Sequence, residues 1–173
     1  MRLFVLVPVA AALLALQGCG YHTLGAATHL PPDMRILAVP EFATRTEAYR
    51  TETVMTNAVI REFATRTRFR VTPIDSPEAD AVLHGTILKE AILPLTYNSS
   101  TQQSSSFLIT IQASVTLNSR DGKILYQNNN YVFREQYQST TDLATFIQED
   151  PAAVERLSRA FARQLVADVL EGL

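Results

Sequence analysis

Hydrophobic and polar residues alternate most regularly between residues 107 and 118. Phe107, Ile109, Ile111, Ala113, Val115 and Leu117 share one side there, and Thr110, Gln112, Ser114, Thr116 and Asn118 share the other. This pattern predicts a strand with one buried and one wet face. Asp121-Gly122 follows as a hairpin signal and leads into a second long strand over 124–137, which carries the polar interruption Gln127-Asn128-Asn129-Asn130. Upstream, 35–39 (RILAV) is a short apolar run closed by Pro40, which cannot donate to a sheet ladder, so a buried strand ends there. Residues 69–72 alternate briefly before Pro73, and 81–93 form an apolar-rich strand with Gly85 inside it.

Two stretches follow the helical period instead. Over 47–66, Met55, Val59 and Phe63 fall at i, i+4 and i+8, while Arg50, Glu52, Arg61 and Glu62 lie away from that stripe. Near the C-terminus, Asp150-Pro151 has the form of a cap followed by proline at the first helical position. Val154, Leu157, Phe161, Leu165 and Val169 then recur at spacings of three and four as far as Gly172. Each helix has a single apolar stripe and covers one face of a sheet. The fold class is therefore α+β: a two-layer sandwich with a mixed four- to five-stranded sheet and two helices packed on one face, in β-α-β-β-β-α order. Its core is expected around Val59, Phe63, Ile109, Ile111, Val115, Leu157, Phe161 and Leu165. No internal repeat is visible.

Between two strands, the eleven residues 96–106 (TYNSSTQQSSS) carry no charge and little apolar surface. Burial cannot offset the entropy of ordering them, so they are expected to form a mobile loop whose use is contact. Tyr97, Asn98, Gln102 and Gln103 are the candidate partner-binding residues in it.

The N-terminus reads as an address. Arg2 precedes an uncharged apolar run over 3–16, which Pro8 interrupts and Gly18-Cys19-Gly20 ends. A spanning helix needs about 20 apolar residues, so a signal peptide over 1–18 is the better reading. Leu16-Gln17-Gly18-Cys19 resembles the bacterial lipobox, which makes Cys19 the expected site of lipidation and the first residue of the mature chain. Several acyl chains exceed the two-signal requirement for lasting anchorage. Gly20, rather than Asp, follows the cysteine, and by resemblance to enterobacterial sorting rules the destination is the outer membrane. Residues 19–33, with Pro31-Pro32, are expected to be a loosely held tether, and 34–173 a single domain.

Composition removes the common alternatives. The 173 residues are 47% hydrophobic and 18% charged, as in a globular chain, and 15 Lys+Arg against 17 Asp+Glu leave a net charge of −2 without a basic stripe for nucleic acid. One cysteine excludes an intrachain disulfide and a multi-cysteine metal site, and His22, His29 and His84 are too scattered to form a ligand cluster. The six glycines never approach phosphate-loop spacings, and no Gly-x-Ser-x-Gly elbow occurs. The acid pairs Glu78/Asp80 and Glu149/Asp150 lie in cap or turn positions, so no catalytic pair, cofactor or enzymatic activity is expected. Asp80 is read as a carboxylate that accepts hydrogen bonds from nearby backbone where its strand begins. Basic residues that could meet a lipid phosphate are the two lysines, Lys89 and Lys123, with Arg120 at the hairpin tip. Arg61, Arg66, Arg68 and Arg70 form a rival cluster, more simply explained as a solvated helix end.

Several stretches together carry a family likeness: Cys19-Gly20-Tyr21-His22, 36–42 (ILAVPEF) with Thr46, 79–87 (ADAVLHGTI), Pro94-Leu95-Thr96-Tyr97, and 121–125 (DGKIL). The chain resembles the lipopolysaccharide-assembly lipoproteins over nearly all of its mature length. Thr44 departs from the likeness, because the family pattern places Asn there. The resemblance implies a small sheet with two helices and a protein that plugs the barrel of the outer-membrane lipopolysaccharide translocon, helps it assemble and binds lipopolysaccharide. Its partners would be that β-barrel, the glycolipid and, through the anchor, the membrane. The alternative is a free, periplasm-facing lipoprotein that binds a ligand or partner without a barrel.

Overall fold

The computed structural model describes residues 29–46, 50–98, 103–138 and 143–172. In chain order its elements are β1 (Ile36–Ala38), β2 (Ala43–Thr44), α1 (Thr51–Arg66), β3 (Arg70–Thr72), β4 (Ala81–Asn98), β5 (Gln103–Ser119), β6 (Ile124–Gln138) and α2 (Leu143–Glu171). The sheet runs β3-β1-β4-β5-β6, with β2 paired to β4 off this path. Pairing within β3-β1-β4 is parallel, and β4-β5-β6 is an antiparallel meander. The mixed sheet with two helices is thus as expected, with six strands instead of four or five. The strand beyond the expected count is two-residue β2, too short for any sequence period to show, while the brief alternation at 69–72 is three-residue β3, the edge beside β1.

The stripe Met55, Val59 and Phe63 of α1 is fully buried, as are Phe161 and Leu165 of α2. On the sheet their partners are the odd-numbered residues Ala81, Leu83 and Ile87 of β4 and Ile109, Ile111, Ala113, Val115 and Leu117 of β5. Every residue of the expected core is buried. The helices pack against each other, α2 lies over β6, and α1 meets β3. Phe161 stands at the centre of this layer: its ring meets Phe42, Tyr131 and Phe133 edge-on at 6.1, 5.5 and 5.5 Å.

Three local expectations are corrected. Residues 96–98 and 103–106 are not loop but the paired ends of β4 and β5: Thr96 faces Ser106, Tyr97 faces Ser104 and Asn98 faces Gln103. Ladder hydrogen bonds and the contact of Thr96 Oγ1 with Ser106 Oγ at 2.7 Å supply what apolar burial does not. The polar run Gln127-Asn128-Asn129-Asn130 does not interrupt β6. A register shift absorbs it between the pairs Ala113/Tyr131 and Val115/Asn128. Finally, Pro151 is not at the first position of α2, which begins eight residues earlier at Leu143 and contains the proline. Among the side chains described in it, the buried stripe includes Ala153, Leu157, Phe161 and Leu165.

Candidate functional site

One end of the sheet is closed by a clip. Asp80, at the start of β4, accepts backbone N–H bonds from Arg35 and Ile36 at 2.8 and 2.9 Å on Oδ2, and Arg120 Nη2 donates to its Oδ1 at 3.0 Å. Arg120 also donates to the carbonyls of Ala79 (3.0 Å) and Glu78 (2.7 Å). The two backbone donors first, and the guanidinium after them, hold the Asp80 carboxyl below its ordinary pKa. The expected role of Asp80 as a backbone cap is what the geometry shows. Arg120 is presented by a three-residue hairpin in which Gly122, at φ 82°, closes the turn on Ser119. Lys123 is exposed beside it.

Residues 29–34 meet the rest of the domain at this same end. Pro31, Asp33 and Met34 border the hollow lined by Asp80, Ser119 and Arg120, and His29 lies against Gly172 at the end of α2. Leu30 and Met34 are buried, so packing begins before residue 34. Cys19 and the rest of the segment 1–28 lie outside the described residues.

The sheet face opposite the helices carries Thr110, Gln112, Ser114, Thr116 and Asn118 of β5, none of them fully buried. Its charges are set by a bulge. Ile87 faces Ala113 but Lys89 faces Gln112, so Leu88 is an extra residue in β4. Beyond it Lys89, Ala91 and Leu93 share the open face with Gln112, Thr110 and Leu108, and Glu90 turns to the helix side opposite Ile111. On the other flank Val132, Arg134 and Gln136 of β6 face Gln112, Thr110 and Leu108. Lys89 and Arg134 therefore stand diagonally across β5, two strand spacings apart and two residues along, on the order of 12 Å between Cα positions. Both are exposed, and neither forms an ion pair among the described residues. Two long cationic side chains at this separation can close on one anionic group, with Thr110 and Gln112 as polar floor between them.

The helix side holds a buried polar chain. Tyr131 donates to Asp168 Oδ2 at 2.7 Å, Tyr126 and Tyr131 share a hydroxyl contact of 2.6 Å, and Gln164 donates to Asp168 Oδ1 at 2.6 Å. Burial first, and then these hydrogen bonds, push the Tyr131 hydroxyl far above the ordinary phenol pKa. It remains a donor, and the chain ties α2 to β6.

The candidates from sequence are thus dispersed. Tyr97, Asn98 and Gln103 lie at the β4-β5 end of the sheet, and Gln102 falls outside the described residues. Arg120 and Lys123 lie at the other end. Between the two ends run the 17 residues of β5, roughly 55 Å at the usual rise per residue, so the two segments form no common surface. Lys89 sits between them on the open face. Within the arginine cluster, Arg66 meets Glu62 at 3.7 Å and the carbonyl of Arg163 at 3.3 Å, and Arg70 meets Glu78 at 3.6 Å. Sequence reasoning missed Arg134. The alternation of Tyr131, Phe133 and Tyr137 against Val132, Arg134 and Gln136 gave its face, but its relation to Lys89 depends on the bulge. Among the described residues no group of three metal-ligating side chains occurs, and no helix is long and apolar enough to cross a membrane.

This architecture is that of known lipoproteins. A solution structure of lipoprotein B from Nitrosomonas europaea is similar at a TM-score of 0.54 and 11% identity, covering 84% of this chain and 86% of that one. A lipoprotein from Caulobacter crescentus is similar at 0.53 and 12%, covering 76% and 89%, and a minor lipoprotein from Acinetobacter baumannii at 0.50 and 12%, covering 82% and 95%. No curated protein matches the sequence. The family model described as LptE, lipopolysaccharide-assembly, matches residues 34–169, most of the chain. That family is one of non-enzymatic, membrane-associated lipoproteins that work with the lipopolysaccharide transport machinery. The chain belongs to the LptE lipopolysaccharide-assembly family and has its role in lipopolysaccharide assembly.

Proposed function

We propose that this chain, lipidated at Cys19 after removal of residues 1–18, is held at the outer membrane by the tether 19–33. There its single domain docks in and plugs the translocon barrel and receives lipopolysaccharide on the open sheet face. The observation that carries this reading is the face itself: a polar sheet surface left uncovered by the helices, with Lys89 and Arg134 unpaired among the described residues and placed for one anion. A barrel lumen is polar, and a surface of Thr, Ser and Gln meets it without the desolvation cost of buried charge. Arg120 is a poorer glycolipid ligand than Lys89, since its donors already serve Asp80 and two carbonyls. Lys123 stays as the cation of the tether end.

Detergent-solubilised outer membrane tests the docking. A large β-barrel co-purifying in stoichiometric amount supports it, and recovery of the lipoprotein alone favours the barrel-free alternative. Photo-crosslinkers at Gln102 and Lys123, with controls on the exposed helix surfaces, then tell which end meets the barrel. Binding of purified lipopolysaccharide should fall at least tenfold in Lys89→Glu/Arg134→Glu, with a loss that shrinks as salt rises, and change little in Lys123→Glu. The reverse order would move the glycolipid site to the hairpin tip.

A further inference from the structure

The chain enters the sheet through Arg35 and Ile36, and every backbone hydrogen-bonding group of this pair is engaged. Both N–H groups donate to Asp80 Oδ2, at 2.8 and 2.9 Å. The carbonyl of Arg35 accepts from the N–H of Arg70 at 2.8 Å on one side, and the carbonyl of Ile36 accepts from the N–H of Asp80 at 2.9 Å on the other. β4 begins only at Ala81, level with Leu37, so the Asp80 side chain extends the grip on the chain past the end of the ladder. Asp80 is backed in turn from the β5-β6 hairpin. Besides its side-chain bonds to the Asp80 carboxylate and to the carbonyls of Glu78 and Ala79, Arg120 donates its N–H to the Asp80 carbonyl at 2.9 Å. Ahead of this grip, residues 29–34 are held by the burial of Leu30 and Met34 and by a turn bond from the Met34 N–H to the Pro31 carbonyl at 3.1 Å. Behind it, β1 runs inward between two parallel neighbours, with Leu37, Ala38 and Val39 fully buried.

We infer that Asp80 is a load-bearing latch: tension on the anchored N-terminus stops at Arg35-Ile36, and the domain stays folded behind it. The inference rests on the lipid anchor proposed above, which makes the N-terminal segment the link between membrane and domain. A domain that is also docked to a partner has two points of attachment, and movement between them is carried by this link. A pull from beyond the end of the sheet acts along β1. It loads the bonds at Arg35 and Ile36 side by side, whereas residues 29–34 in front of them peel one contact after another. A carboxylate suits the latch, because bonds to a charged oxygen are stronger than bonds to a neutral carbonyl. Arg120 then spreads the load from β4 into β5 and β6. Residues 29–34 are the slack in the device: six residues give roughly 20 Å of extended chain before the latch is strained.

Single-molecule force spectroscopy on the unlipidated chain 19–173 tests the latch. Cys19, the single cysteine of the sequence, is one handle, and Gln103→Cys at the far end of the sheet is the other. This pair draws β1 against its neighbours. A control chain, Cys19→Ser/Gln103→Cys/Gln127→Cys, loads β5 against β6 and leaves β1 out of the path. Asp80→Ala should shorten the lifetime of the folded state at fixed load at least tenfold through Cys19, and less than threefold in the control chain. Asp80→Asn, which keeps an acceptor oxygen, and Arg120→Ala should fall between the unchanged chain and Asp80→Ala, with circular dichroism confirming the fold of each variant. A reversible lengthening of at most about 20 Å should precede rupture whenever the pull is through Cys19. Equal shortening in both geometries would make Asp80 a contributor to stability and nothing more, and an unchanged lifetime through Cys19 would remove the latch. Neither result bears on whether Cys19 is acylated, which the mass of the mature N-terminal peptide decides separately.

Discussion

The ring of Phe42 lies directly against the backbone of Gly85, so that a Cβ at that glycine would be 2.5 Å from three ring atoms. Phe42 cannot retreat: it is buried, its N–H donates to Thr56 Oγ1 at 3.0 Å, and its ring meets Phe161 edge-on. Gly85→Ala should therefore cost about 1–3 kcal/mol through overpacking. Phe42→Leu in the same chain should recover part of that loss, measured as urea midpoints of the single and double variants. Additive losses would show that the two sites do not conflict.

The Asp80 clip makes stability depend on acidity in one direction. A carboxyl whose pKa lies lower in the folded state stabilises fully above its ordinary value of 3.8, and the benefit is lost as pH falls through the folded value. Denaturation midpoints should therefore fall on acidification below about pH 4. Asp80→Asn should be less stable at neutral pH and show a shallower fall, with the difference between the two chains narrowing in acid.

Tyr131 holds the carboxylate of Asp168 in a buried setting, and removing the donor leaves that charge undersatisfied. Tyr131→Phe should cost about 1–3 kcal/mol. Tyr131→Phe/Asp168→Leu should cost less than the sum of the two single changes, as a double-mutant cycle would measure. Phe161→Ala, at the centre of the same layer, should cost about 3–5 kcal/mol.

Cys19 should be the acylated first residue. Mass spectrometry of membrane-extracted protein should find a lipid-modified peptide beginning there, and Cys19→Ala should release a folded domain from the membrane. A retained segment 1–18, or a mature terminus elsewhere, would contradict the anchor.

The regular elements were legible because their periods are long and unbroken. The stripe of α1 and the alternation of β5 each identify a buried face before any contact is known. What sequence could not give depends on pairing. Residues 96–98 and 103–106 have the composition of a loop, but they sit on the ends of two strands already joined over more than ten pairs, and the ladder carries them. Within the candidate site Lys89 was visible as a rare lysine. Its opposition to Arg134 was not, since the strand between them is the only link and one extra residue sets the register.

That extra residue has a consequence for how length changes in β4 act. Up to Ile87, odd-numbered positions are core; beyond Leu88 they are solvent, so the two halves of the strand are in opposite phase. Deleting Leu88 would leave a regular ladder in which Lys89 directly follows Ile87 and still points outward, and every residue nearer the β4-β5 end would keep its side. Deleting Thr86 instead would put Ile87 out of phase with Leu83. Two relatives that differ by a one-residue gap in this strand thus present the same cationic surface only when the gap falls at the bulge, and an alignment that slides it one position toward the β4-β5 end sets Leu88 in the place of Lys89.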